Sequence, residues 1–252
     1  MKNYPIQDVS FELRKGEILG LTGLLGSGRT EVVRCFFGID KLEEVSIYIK
    51  GRLTKIANPT DASNAGLALV PENRKEQGLV LQLHVADNIC LGSEAVRLLR
   101  SRKNEEGVAS KLVKAFNIRC THVRQVIKNL SGGNQQKAVI SKWVSRNAEI
   151  LILDEPTRGI DVSAKTEVHA LIGEMVKNGL AVLLISSEFD EIMGLCDRAV
   201  VLYEGKVGGK LTGKTAPRKG SSPTPTGTGP RNSLRQGSRN HGARGGKNGR
   251  KF

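Results

Sequence analysis

The chain has 252 residues, enough for one large domain or two small ones with a sizeable core. Its net charge of +14 would suit a nucleic-acid or membrane-surface binder, but twelve Lys or Arg and no acid lie from Lys206 onward. Residues 1–205 therefore hold 27 basic against 25 acidic side chains, and the basicity belongs to the tail rather than to a binding face of the domain.

In chain order, "DVSFEL" (8–13) alternates apolar and polar residues before "RKGE", which predicts an edge strand and a turn. "EILGLTG" (17–23) is a buried apolar strand that runs directly into "GLLGSGRT" (23–30). That stretch matches the phosphate-binding loop, Gly-x-x-x-x-Gly-Lys-Ser/Thr, at Gly23, Gly28 and Thr30, and places Arg29 where the lysine belongs. "RTEVVRCFFGI" continues as a helix with Val32, Val33, Phe36 and Phe37 on its apolar side. Strand, glycine loop and helix together are the context in which backbone N–H groups cradle phosphates. "SIYIKGRLTKI" predicts a hairpin around Lys50 and Gly51, and "GLALVPE" a further strand.

Residues 84–128 are polar, helical in spacing and without a convincing strand, so a mostly helical insert is expected, within a subdomain of about 84–147. The α/β rhythm returns with helix "GGNQQKAVISKWVSR", strand "EILIL", helix "SAKTEVHALIGEMVKNG" and strand "LAVLLIS". The second of these helices sets Ala164, Val168, Leu171, Ile172 and Met175 on one face, and Gly179 supplies its stop. "DRAVVLYEGKVGGKL" closes the domain as two strands around Glu204 and Gly205. The domain is expected to span 1–211. The Gly, Pro, Ser and basic segment 212–252 cannot bury enough apolar area to offset chain entropy, so it is expected to be disordered.

The longest apolar run, "LAVLLI" at 180–185, is far short of a membrane span. Cys35, Cys90, Cys120 and Cys196 stand singly, which argues against metal or redox roles and for reduced thiols in a cytosolic protein. His84, His122, His169 and His241 show no ligand or catalytic spacing. Trp143 reads as core, and Tyr4 is too close to the start of the chain to be assigned to a base. The tail has no aromatic interleaved before Phe252, so nucleic-acid binding is not expected.

Three further motifs carry chemistry. "ILILDEP" (150–156) is an aliphatic strand ending in two acids: Asp154 suits the Mg²⁺ shell, with Thr30, and Glu155 suits the orientation or deprotonation of an attacking water. "NLSGGNQQK" (129–137) and "RGID" (158–161) flank that strand. In this order the motifs resemble an ABC-transporter ATP-binding domain. More narrowly, "GEILGLTGLLGSGRTE", "LVPENRKEQGLVL", "LSGGNQQK", "LDEPTRGIDV" and "ISSE" look like the second half of the two-domain ATPase subunits of bacterial monosaccharide importers.

The resemblance implies an α/β P-loop fold with a central, mainly parallel sheet, an N-terminal antiparallel β part and a helical subdomain. It also implies that the chain is one ATPase half, a fragment or a half-length relative. ATP would be held by Gly23, Leu24, Leu25, Gly26, Ser27, Gly28, Arg29, Thr30 and Glu31, with Glu72 at the place of the Q-loop glutamine and Ser187 at that of the switch histidine. Leu130, Ser131, Gly132, Gly133, Asn134 and Gln135 would serve, in trans, a nucleotide on a second ATPase domain, with Leu130 as a packing anchor. Transmembrane permease subunits, a periplasmic sugar-binding protein acting through them, and a place on the cytoplasmic face of the membrane complete the implied setting. Arg29, Glu72 and Ser187 all depart from the pattern at the chain's own site, so that site is expected to turn ATP over poorly while the intact signature serves its partner. A non-hydrolysing nucleotide-binding regulator and a soluble ABC protein acting on ribosomes or nucleic acid remain as alternatives.

Overall fold

A computed structural model describes residues 6–41, 45–91, 101–146 and 148–212. The expected disorder of the tail, Tyr4 and part of the helical insert lie outside these. Six strands form the central sheet: β1 (Ile18–Gly23), β4 (Leu67–Val70), β5 (Ile150–Asp154), β6 (Ala181–Ile185), β7 (Arg198–Tyr203) and β8 (Lys206–Thr212), in the order β4-β5-β6-β1-β7-β8. All neighbours run parallel except β7 and β8, which form a hairpin. Their turn is made by Glu204 and Gly205, both at positive φ (49° and 76°), as a tight hairpin between right-twisted strands requires. β8 runs one residue past the expected domain edge, to Thr212.

The parallel strands are continuous apolar runs because both faces are covered. Alternate residues point to opposite sides: Ile18, Leu151, Leu153, Val182 and Leu184 enter one core. Leu19, Leu21, Ile152, Leu183 and Ile185 enter the other. Helix α1 (Arg29–Phe36) and the short α2 (Pro59–Asn64) accompany the second core. The first core takes α5 (Gly132–Val144), α6 (Val162–Lys177), the short α7 (Phe189–Leu195) and the insert, where α3 (Val85–Cys90) and α4 (Arg102–Ala115) lie. On α6, Val168, Ile172 and Met175 are buried as the periodicity predicts, and Gly179 follows the helix at φ +93°.

The hairpin β2 (Ile47–Ile49) and β3 (Arg52–Thr54) forms around Lys50 and Gly51, both at positive φ, and makes a separate two-stranded sheet. Residues 8–13 are a correction. Their alternation is real, with Val9, Phe11 and Leu13 packed on the second core and Phe11 edge-on to Phe36 at 5.4 Å. Yet no described strand pairs with them. One-sided burial by itself produces the period of two, with or without a strand ladder.

Trp143 is partly buried against both cores, with its ring edge-on to Phe37. Cys35, Cys90 and Cys196 are buried and Cys120 is half-buried. Burial pushes the Cys90 thiol up to about 11 and the Cys196 thiol to about 12, which suits inert core positions. Among the described residues, no helix is long and apolar enough to cross a membrane.

Candidate nucleotide site

The register of three adjacent strands builds one edge. Leu21 of β1 lies level with Ile185 of β6, and Ile185 lies level with Asp154 of β5. Three loops therefore leave the sheet side by side: 23–28, 155–161 and 186–188. The carboxyl ends of parallel strands, where the chain order reverses around β1, are where open α/β sheets take ligands.

The first loop turns on glycines at φ +156° (Gly23), +80° (Gly26) and +97° (Gly28), and Gly28 caps α1 in the left-handed conformation. Leu24 and Leu25 point outward, Leu25 being 92% exposed, whereas Ser27 is buried with its hydroxyl unpartnered. Arg29 opens α1, followed by Thr30 and Glu31, so the free N–H groups of a helix start lie beside the loop.

Arg29 and Glu155 come together across 126 residues of sequence, Nη1 to Oε1 at 3.3 Å, both largely buried. The same Oε1 accepts the Ser187 N–H at 2.8 Å. Glu155 is held at φ +46°, and its own N–H donates to the Ile185 carbonyl at 2.9 Å. A non-glycine residue in this region stores about 1–3 kcal/mol of strain, the kind of arrangement that clusters at functional sites.

Asp154 is 4% exposed, and its Oδ1 has no hydrogen-bond partner. Burial raises its carboxyl to about 6; the Thr30 hydroxyl works against this, the Glu155 charge adds to it and Arg29 opposes it. A buried, unsatisfied carboxylate oxygen beside a threonine hydroxyl is a donor set that a hard divalent cation fits.

Glu72 is paired with Arg158, in the loop that follows Glu155. Ser187 is exposed, and its peptide N–H, rather than its side chain, makes the contact with Glu155.

The signature segment lies at the start of α5. Ser131 is exposed at the cap, and its Oγ accepts from Asn134 Nδ2 at 2.9 Å, while Asn134 Oδ1 accepts the Arg119 N–H at 2.8 Å. The rest of the segment packs largely within its own domain. Leu130 is buried in its own core, and Gln135 turns inward to donate to the Ile127 and Leu130 carbonyls at 3.3 and 3.2 Å. Gly133 is buried where a Cβ would stand 2.4 Å from Ala164 Cβ, and a Cβ on Gly132 would meet Arg74 Nη2 at 2.7 Å. These glycines make room for their own domain. Ser131 and Asn134 are the signature side chains left facing outward.

Two features carried no signal in the sequence. Arg74 is buried, and its Nη1 and Nη2 donate to the Arg158 and Gly159 carbonyls at 2.8 and 3.0 Å. His169, read as having no role, contacts the buried Glu191 at 2.7 Å. Burial would raise the Glu191 carboxyl, but hydrogen bonds from His169, Ser186 and Thr157 hold it below its ordinary value.

Residues 6–158 match the family described as ABC transporter. The chain belongs to the ABC transporter family. Among its relatives in that family, the ribose import ATP-binding protein RbsA of Bacillus subtilis is 43% identical over 213 residues, covering 83% of this chain and 43% of the relative. A putative ribose/galactose/methyl galactoside import ATP-binding protein 3 of Agrobacterium fabrum is 48% identical over 204 residues, covering 79% of this chain and 40% of the relative. The chain thus spans less than half the length of these relatives.

Among solved structures, a nucleotide-free ATP-binding cassette from an ABC transporter superposes with a TM-score of 0.72 at 18% identity, covering 83% of this chain and 85% of that one. A dimeric cassette in a post-hydrolysis state, bound to ADP and Pi, gives 0.70 at 19%, covering 84% and 91%. At such identities the likeness concerns the fold: a P-loop ATPase with a mainly parallel sheet and an antiparallel β pair, as expected of this ABC family member.

Proposed function

We propose that this chain binds Mg²⁺–ATP at residues 23–31 and, paired with a second ATPase domain, supports hydrolysis that drives monosaccharide import through membrane permease subunits at the cytoplasmic face. A periplasmic sugar-binding protein would act through the permease. The observation that carries the nucleotide reading is the convergence of the glycine loop, Asp154 and Glu155 on one sheet edge. The sugar reading rests on the relatives' names.

Phosphates would lie over the start of α1, with Arg29 as their cation and Thr30 and Asp154 holding the metal. When bound, Mg²⁺ neutralises charge on the phosphate oxygens. Glu155 is the group that would orient or deprotonate water, and Glu72 and Ser187 would edge the same cleft. Arg29 bears on how well this can work. Its planar fork is not a lysine, and it already engages the carboxylate that must act as base. The chain's own site is therefore read as a poor catalyst, with Ser131, Gly132 and Asn134 serving the partner's nucleotide. The same ion pair favours a second reading, a nucleotide-binding regulator that hydrolyses nothing at either site.

The test compares ATP turnover of the chain alone and with a second ATPase domain. Alone it binds Mg²⁺–ATP and hydrolyses little. In the pair, Ser131→Glu, an exposed change that sets a carboxylate against the partner's γ-phosphate, lowers turnover by about 10²-fold or more, and Glu155→Gln does less. Brisk turnover by the chain alone, abolished by Glu155→Gln, overturns the assignment of the two sites; no turnover in the pair selects the regulator.

A further inference from the structure

The segment "ENRKEQG" (72–78) leaves β4 and winds a single wide turn, an i→i+5 π-turn over Arg74–Gly78, held at its start by the Asn73 carbonyl accepting the Gln77 N–H at 2.9 Å. Such turns are rare and tend to mark functional sites. Arg74, 9% exposed, reaches back from it. Its guanidinium fork spans two successive carbonyls, those of Arg158 and Gly159, and its Nη2 lies against the first residue of α5, Gly132. Ile160 Cγ2 and the Gly159 carbonyl oxygen press on the same point of Gly132, at 3.2 and 3.3 Å from where its Cβ would stand.

The other end of the π-turn is tied to the same helix. The Gly78 carbonyl accepts from Lys142 Nζ at 2.7 Å, and Val139 packs on Gly78. Glu72 adds an ion pair to Arg158. Residues 72–78 are thus fastened both to the loop after Glu155 and to both ends of the signature helix.

Arg74 is an unusual way to build such a joint. Among the described residues it has no carboxylate partner, and its Nε has no partner at all. Burial pulls its pKa down. A buried cation satisfied by carbonyls alone is an expensive spacer, and a methionine of similar length would fill the space without it. What the methionine could not do is donate to two successive carbonyls at once, which the rigid fork does.

We propose that Arg74 is a positioning residue for the composite site: it fixes the 158–160 loop and the start of α5 to one another, so that Ser131 and Gly132 keep the placement a partner's phosphate requires. This rests on the reading that the signature serves a partner nucleotide. Its local part, the joint itself, stands apart from that reading and is tested apart from it.

The experiment uses the whole chain with Arg74→Met and Arg74→Lys. Amide hydrogen exchange is the first readout: Arg74→Met raises exchange at 131–135 and 158–164 and leaves β1, β6 and β7 protected, and Arg74→Lys restores part of the protection. Unchanged exchange in both segments, or a uniform rise across the domain with a collapsed melting temperature, overturns the proposal. The second readout is turnover with the partner domain. Arg74→Met lowers kcat about tenfold to a hundredfold, the scale on which small misplacements act, with KM for ATP unchanged and partial rescue by lysine. A KM effect without a kcat effect also overturns it. Absence of turnover in the wild-type pair would count against the transport reading alone, and the exchange data would still decide the joint.

Discussion

The two glycine-rich segments of this protein use the same residue for opposite reasons. In residues 23–28 the glycines sit at positive φ, and Gly26 has nothing within 4 Å of where a Cβ would be. They are there for backbone shape. Gly132 and Gly133 open an ordinary right-handed helix, and a side chain there would strike Arg74 or Ala164. They are there for space. Gly23 combines both demands, since a Cβ at φ +156° would stand 2.3 Å from the Leu202 carbonyl oxygen of β7. A glycine in a motif therefore does not reveal by itself whether conformation or contact demands it. Substitutions can separate the two.

Gly23→Ala should have the largest effect. It meets a strand backbone that cannot swing away, and it is strained in φ as well. An overpacking cost and a backbone cost of about 1–3 kcal/mol each apply, so a loss near 4 kcal/mol is expected in chemical denaturation. A loss below about 1 kcal/mol would show that β7 yields and that the loop is softer than its contacts imply.

Gly133→Ala comes next, at about 1–3 kcal/mol, because α5 must move off α6. The contrast with the loop is sharpest in the double variant: with Ala164→Gly the two changes should offset each other, with a coupling of about 0.5–3 kcal/mol in the cycle. Additive behaviour would return Gly133 to a backbone role and erase the distinction.

Gly26→Ala should cost least, about 1–2 kcal/mol from the left-handed backbone alone. Gly26→Asn should cost less still, since asparagine tolerates that conformation. A large loss in both variants would mean that the loop tip packs on something after all.

Much of this molecule was legible before its structure. The strands β1, β4, β5, β6, β7 and β8, the hairpin at Lys50 and Gly51 and the buried face of α6 follow from runs and periods of a few residues. The loop at 23–30 was legible because its strand, turn and helix are contiguous. Arg74 was not, because its partners lie 84 and 85 residues away and nothing in "PENRK" names them. The inward turn of Gln135 was not legible for a related reason. A motif fixes which residues stand together, and the packing of α5 decides which of them turn inward. Residues 8–13 show the same limit: alternation reports which side is covered, not whether the segment joins a ladder.

By itself, the sequence determined the order of elements, the two-sided burial of the parallel strands, the glycine loop and the acids at the end of β5. These depend on interactions between near neighbours in the chain, where hydrophobic period and glycine placement act directly. Only the tertiary structure decided that Arg29 faces Glu155, that Gly132 and Gly133 make room for Arg74 and Ala164, and that Arg74 bridges two loops. Such contacts join segments brought level by strand register and helix packing. Their energies depend on fitted distances of a few ångströms, which no local pattern of residues encodes.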